Sequence, residues 1–127
     1  MARHVFVSYS HRDRSYVERL VNHLTSCGVP VWTDGGVSLG PSWETLVNTR
    51  IDTCNAFVTV VSRHSEASPW VRRELARAKA SDTPILSLVL SEGPAVPDGH
   101  YERVTDGGLP GAEFVDELRR LASKDVA

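Results

Sequence analysis

Four short, almost uninterrupted apolar segments recur along the chain, each followed by a stretch with the three-four spacing of an amphipathic helix. The segments are Val5-Phe6-Val7, Val29-Pro30-Val31-Trp32, Ala56-Phe57-Val58-Thr59-Val60-Val61 and Ile85-Leu86-Ser87-Leu88-Val89-Leu90. Strands that are apolar on both faces suit a parallel sheet covered on both sides. Between them, Val17, Leu20, Val21 and Leu24 form one helical stripe, closed by Gly28. Trp43, Leu46, Val47, Ile51 and Cys54 form a second. A third helix opens at Ser68-Pro69, an N-cap serine and a first-turn proline, and carries Val71, Leu75 and Ala78 inward. A last helix runs from about Gly111, with Phe114, Val115, Leu118, Leu121 and Ala122 as its inner face. Such alternation implies right-handed βαβ units and an open parallel α/β sheet. The Gly- and Pro-rich stretch 91–110 is expected to hold a weak fifth strand near Arg103-Val104-Thr105.

With 127 residues the chain is expected to be a single domain, 1–127. Fourteen Lys and Arg against sixteen Asp and Glu leave a net charge of -2, which argues against a general nucleic-acid binder. The polar turn at Ser8-Tyr9-Ser10 cuts off any secretory apolar segment, and no run approaches a membrane span. Cys27 and Cys54 are too few for a disulfide framework and read as free thiols in a reducing cytoplasm. The expectation is a cytoplasmic domain, or the cytoplasmic piece of something larger, with no nucleic-acid or membrane partner.

Several chemistries available to such a sheet lack their residues. Gly35-Gly36-Val37-Ser38-Leu39-Gly40-Pro41-Ser42 has the glycine spacing of a phosphate-binding P-loop, but Pro41 stands where the lysine must be. The dinucleotide fingerprint G-x-G-x-x-G is absent. A phospho-accepting receiver needs an aspartate at the end of the third strand and acids after the first, where this chain has Val61-Ser62-Arg63 and Ser8-Tyr9-Ser10. His4, His11, His23, His64 and His100 are scattered without metal-ligand spacing, and no nucleophile elbow is present. No metal is expected.

What remains is Ser68-Pro69-Trp70-Val71-Arg72-Arg73-Glu74. Trp70 and Glu74 stand four apart and share a helix face. The helix follows the third strand, and open parallel sheets bind ligands beyond the carboxyl ends of their strands. If strands one and three are neighbours, the 9–13 loop and this helix face one cleft. On spacing alone, a tryptophan near a helical glutamate is in most cases packing beside a solvated charge.

Taken together, these segments resemble the bacterial type of TIR (Toll/interleukin-1 receptor) domain. The resemblance rests on Val5-Phe6-Val7-Ser8-Tyr9-Ser10, on Val31-Trp32-Thr33-Asp34 leading into a glycine-bearing loop that ends at Gly40-Pro41-Ser42-Trp43, on Phe57-Val58-Thr59-Val60-Val61-Ser62, and on the Trp70–Glu74 helix. It implies a flavodoxin-like fold, strand order 2-1-3-4-5, helices on both faces, and self-association with other TIR domains. TIR domains either serve only as signalling scaffolds or cleave NAD⁺ as a substrate, no further cofactor being needed. Enzymatic members carry a glutamate four residues after a tryptophan in the helix following strand three, the places of Glu74 and Trp70. The resemblance therefore implies Glu74 as the catalytic carboxylate, with Tyr9, Ser10, His11, Arg12, Asp34, Trp43 and Trp70 around the substrate. Nicotinamide leaves as a neutral molecule, so a single carboxylate facing the cationic ribose suffices where ordinary glycosidases use two. Trp43 is open to a second reading as a helix-packing residue, and Arg12 as an exposed loop side chain. The implied context is bacterial immune or cell-death signalling, with a fused or separate sensor. The alternative is a scaffold in which Glu74 has no chemical task.

Overall fold

In the computed structural model, residues 4–35, 40–90, 99–104 and 107–123 are described, and the statements below concern those. The strands are β1 (Val5–Ser8), β2 (Val31–Thr33), β3 (Ala56–Val61), β4 (Ile85–Val89) and β5 (His100–Arg103). The helices are α1 (Arg14–Ser26), α2 (Pro41–Thr53), the short α3 (Arg63–Glu66), α4 (Pro69–Ala80) and α5 (Ala112–Ala122). All strand pairs are parallel, in the order β2-β1-β3-β4-β5, as the resemblance implies. The register sets Val5 beside both Val31 and Ala56, so β1 lies inside the sheet with polar Ser8 at its carboxyl end.

Side chains alternate across a strand, and this alternation builds two separate cores. Val5, Val7, Val58, Val60, Leu86 and Leu88 pack under α1 and α5. Phe6 and Phe57 point the other way, under Val47 and Ile51 of α2 and Ala78 of α4. The Phe6 and Phe57 rings stack at 5.4 Å, and Trp32 and then Trp43 extend this aromatic layer towards α2. Two ion pairs join α2 to α4 along their outer rims, Glu44–Arg73 at 2.8 Å and Asp52–Arg77 at 2.7 Å.

The elements depart from the sequence pattern where backbone pairing outweighs hydrophobicity. β2 starts at Val31 because Pro30 has no N–H to give; its carbonyl accepts from Val5 N instead. Val29 closes α1, its N–H donating to the Leu24 carbonyl beside Gly28 at φ +84°. β5 is displaced to His100–Arg103 from the apolar signal at Val104; Thr105 lies outside the described residues. It is an edge strand with exposed side chains, which leaves no apolar signature to read. The short α3 and a 3₁₀ turn at His11–Asp13 were not anticipated, although Ser62 and Ser10 cap them. Cys27 and Cys54 are free thiols, and burial pushes Cys54 up to about 12. Among the described residues no helix is long and apolar enough to cross a membrane.

Candidate functional site

The Trp70–Glu74 helix is placed by its first turn. Ser68 caps α4 by accepting from Val71 N at 3.3 Å, and Pro69 occupies the first helical position. The start of α4 thereby comes over the carboxyl ends of β1 and β2, and Glu74 points at the sheet. Only 3% of Glu74 is exposed. Ser8 Oγ donates to Glu74 Oε1 at 2.6 Å across 66 residues of sequence. No N–H or O–H donor reaches Glu74 Oε2.

Asp34, just beyond β2, completes the cluster and is 2% exposed. Trp70 Nε1 donates to Asp34 Oδ2 at 2.5 Å. The Asp34 carboxyl is also within hydrogen-bonding reach of Glu74. Burial, and then the hydrogen bond and charge of Asp34, raise Glu74 to about 10, while Ser8 and Trp70 pull the other way. At neutral pH Glu74 is therefore a carboxylic acid.

Beside this cluster lies a cavity of about 100 Å³ between α2 and α4, lined by Val47, Asn48, Trp70, Arg73, Glu74 and Arg77. Arg73 lies over the Trp70 ring at 5.3 Å and also pairs with Glu44. Arg77 holds Asp52 through two hydrogen bonds of 2.9 and 2.7 Å. The rim of the cavity is thus basic, and its charges are already engaged by α2.

Of the residues that the sequence grouped around the substrate, Asp34 and Trp70 lie with Glu74, and Tyr9 does not. Tyr9 is 4% exposed and packs in the α1–α5 core, on the opposite side of the sheet from α4. Its phenol is raised by burial and by the Asp34 charge, against hydrogen bonds with Thr33 and Arg14. Asp34 is thus the group that both Tyr9 and Glu74 sense. Ser10 is buried and caps the 3₁₀ turn, accepting from Arg12 N at 3.3 Å. His11 and Arg12 are exposed on that turn. Asp13 accepts from Ser62 Oγ at 2.5 Å, tying the loops after β1 and β3 across the point where strand order reverses. Trp43 is half-buried in the aromatic layer, its ring 5.9 Å from Trp32. Residues 36–39 of the glycine loop lie outside the described residues.

Ser8 was missed by sequence reasoning, yet the signal was available. Phe6 and Ser8 share one parity on β1, whereas Val5, Val7 and Tyr9 share the other. Once Phe6 is assigned to the α2–α4 side, Ser8 must face Glu74. Among the described residues no cluster of His, Cys, Asp and Glu could hold a metal ion.

No curated protein matches the chain. The CMP N-glycosidase BcmB of Clostridium botulinum has a similar fold, with TM-score 0.62 at 17% identity over 91% of this chain and 98% of that one. The TIR domain of the Toll-related receptor TRR-2 from Hydra magnipapillata gives TM-score 0.62 at 18% identity, over 92% and 93% of the two chains. A response regulator receiver domain from Bacillus halodurans gives TM-score 0.54 at 14% identity, over 96% and 95%. That last likeness is one of architecture, since β3 here ends in Val61-Ser62 without an acceptor carboxylate. A family profile described as TIR domain matches residues 5–122, nearly the whole chain, and the protein belongs to the TIR domain family.

Proposed function

We propose that the protein is an NAD⁺ nucleosidase that cleaves the nicotinamide–ribose bond when TIR domains assemble, in bacterial immune or cell-death signalling. The observation that carries this reading is Glu74: a buried carboxyl at the carboxyl end of the sheet, with a cavity beside it. A cation placed against Glu74 favours its charged form, so charge appears where the ribose becomes cationic. Trp70 excludes water from one side, which strengthens that interaction. The CMP N-glycosidase with a similar fold is named for breaking the same class of bond, which supports the reading by analogy of fold.

The cavity of about 100 Å³ is well below the roughly 300–1,000 Å³ of ordinary ligand pockets. On this proposal the isolated monomer is a resting form, and a neighbouring TIR domain widens or completes the site. The same small cavity and neutral glutamate also suit a second reading, an assembly module in which Glu74 is structural. Incubating concentrated protein with NAD⁺ and following nicotinamide release separates the two. Turnover that rises with concentration and is abolished in Glu74→Ala is expected. Equal turnover by the variant removes Glu74 from the chemistry, and no turnover under crowded conditions selects the scaffold.

A further inference from the structure

We propose that Arg73 and Arg77 are the receptor for the phosphate carried on the substrate ribose, and that Glu44 and Asp52 of α2 occupy this receptor until that phosphate displaces them. This rests on the reading of Glu74 as the group facing the ribose in an N-glycosidic cleavage, and it extends that reading to the part of the substrate beyond the bond that breaks.

Three observations carry it. Arg73 and Arg77 stand one helical turn apart on α4 and line the same cavity as Glu74, with Asn48 of α2 opposite. Side chains three and four apart on a helix are neighbours, about 5–6 Å between Cβ atoms. Arg77, three residues after Glu74, therefore lies within the span of the few bonds that join ribose C1′ to its 5′-phosphate. Next, the Arg77 guanidinium already grips an anion as a fork, Nε and Nη2 donating to the two oxygens of Asp52 at 2.9 and 2.7 Å. A fork that fits a carboxylate also fits a phosphate. Finally, Glu44, Asn48 and Asp52 follow one another at four-residue spacing. α2 thus presents one carboxylate a turn before, and another a turn after, the residue that walls the cavity.

The energetics favour exchange. The Arg73 and Arg77 side chains are 55% and 42% exposed, and those of Glu44 and Asp52 are 28% and 38% exposed. Pairs this open to water are weak, and the displaced carboxylates are readily hydrated. A phosphate brings more negative charge and more acceptor oxygens than either carboxylate. Glu44 engages Arg73 through Nη1 at 2.8 Å, while the same guanidinium lies over the Trp70 ring at 5.3 Å. That cation–π contact keeps Arg73 at the cavity when Glu44 leaves. Val47 and Ile51 remain buried against the sheet, so the exchange takes place at the rim while α2 stays seated. With both pairs closed, α2 is tied to α4 on either side of Asn48, which accounts for the small size of the cavity at rest.

A ribose 5′-phosphate is common to a dinucleotide such as NAD⁺ and to a nucleoside monophosphate. The test first reads the shared group. Ribose 5-phosphate and ribose are titrated into ¹⁵N-labelled protein, and the arginine Nε–H signals are followed, assigned by their loss in Arg73→Gln and Arg77→Gln. Ribose 5-phosphate should move both signals and ribose neither. Arg77→Gln should weaken binding about tenfold or more. Arg77→Lys, which keeps the charge and loses the fork, should fall between the two. Asp52→Asn removes the competing charge and should tighten binding by about two- to fivefold. Affinity unchanged in Arg77→Gln, or no binding by either wild type or Asp52→Asn, overturns the receptor. In turnover, Arg77→Gln should raise KM for NAD⁺ more than it lowers kcat, and a loss confined to kcat also overturns it. Release of cytosine from CMP, with no nicotinamide from NAD⁺, supports the receptor and assigns it to a nucleoside monophosphate. If neither base is released, the nucleosidase reading fails, while the titration still decides whether the phosphate receptor exists.

Discussion

Replacing Glu74 by Gln should make the protein more stable at neutral pH, by an amount that grows with pH. Gln keeps the oxygen that accepts from Ser8 and offers an amide N–H to Asp34, so both contacts of the buried acid survive. What changes is the linkage to protons. In the folded protein Glu74 keeps its proton up to about 10, whereas in the unfolded chain it loses it above the ordinary value of 4.5. The folded state therefore binds the extra proton throughout that window. Its stabilising effect is complete below 4.5 and is lost progressively as pH climbs towards 10. Within the window each pH step costs wild type up to about 1.4 kcal/mol relative to Gln, accumulating to at most about 3.4 kcal/mol by pH 7. Urea denaturation of both proteins at pH 6 and pH 7 checks this, because groups whose titration the substitution leaves unchanged cancel in the difference. The gap between them should widen by about 1.4 kcal/mol over that single step. A gap that is the same at both pH values means that Glu74 is already ionised in the folded protein, and the argument from burial fails. The more stable variant should also release no nicotinamide, placing the cost of the buried acid with its function.

Two further outcomes test the packing around the site. Phe57→Ala, at a fully buried ring stacked on Phe6, should lower stability by about 3–5 kcal/mol in urea denaturation; a loss below 1 kcal/mol would mean that the aromatic layer does not support the α2–α4 face. Asp52→Ala should cost less than about 1 kcal/mol, since the Asp52 and Arg77 side chains are 38% and 42% exposed. The Arg77 hydrogen bond holds Asp52 below its ordinary value of 3.8, so the contribution is present above that pH and fades as pH falls through the folded-state value; a double-mutant cycle with Arg77→Ala near pH 7 and near pH 2 reads it.

Much of the architecture is written in local pattern. β1, β3 and β4 are apolar on both faces and start where expected, because buried central strands admit little else. The helices follow from their inward stripes and from Ser68, Pro69 and Gly28. β5 could not be placed from hydrophobicity, since an exposed edge strand is held by backbone pairing to β4 and its side chains are free to be His, Tyr, Glu and Arg. Strand order came from family likeness, because periodicity says which face is buried and never which strand is the neighbour. At the site, Trp70 and Glu74 were legible as a helical pair. Their connection to Asp34 and Ser8 spans 36 and 66 residues and appears only after the sheet is assembled. Tyr9 was grouped with Glu74 because the loop after β1 borders the start of α4, and the one-residue step from Ser8 sends it to the other face.

That step has a consequence for how such a scaffold can diversify. The sheet acts as a partition: even-numbered β1 positions face α2, α4 and the Glu74 carboxyl on one side, while odd-numbered positions hold the α1–α5 layer on the other. Outer surfaces of α1 and α5 can therefore be rewritten to suit new neighbours without disturbing the acid at position 74. A single-residue insertion or deletion inside β1 would exchange the two rooms at once, presenting a phenol to the glutamate and a hydroxyl to the aliphatic core. Point substitution should thus be the route by which this strand drifts, with changes of length confined to the loops.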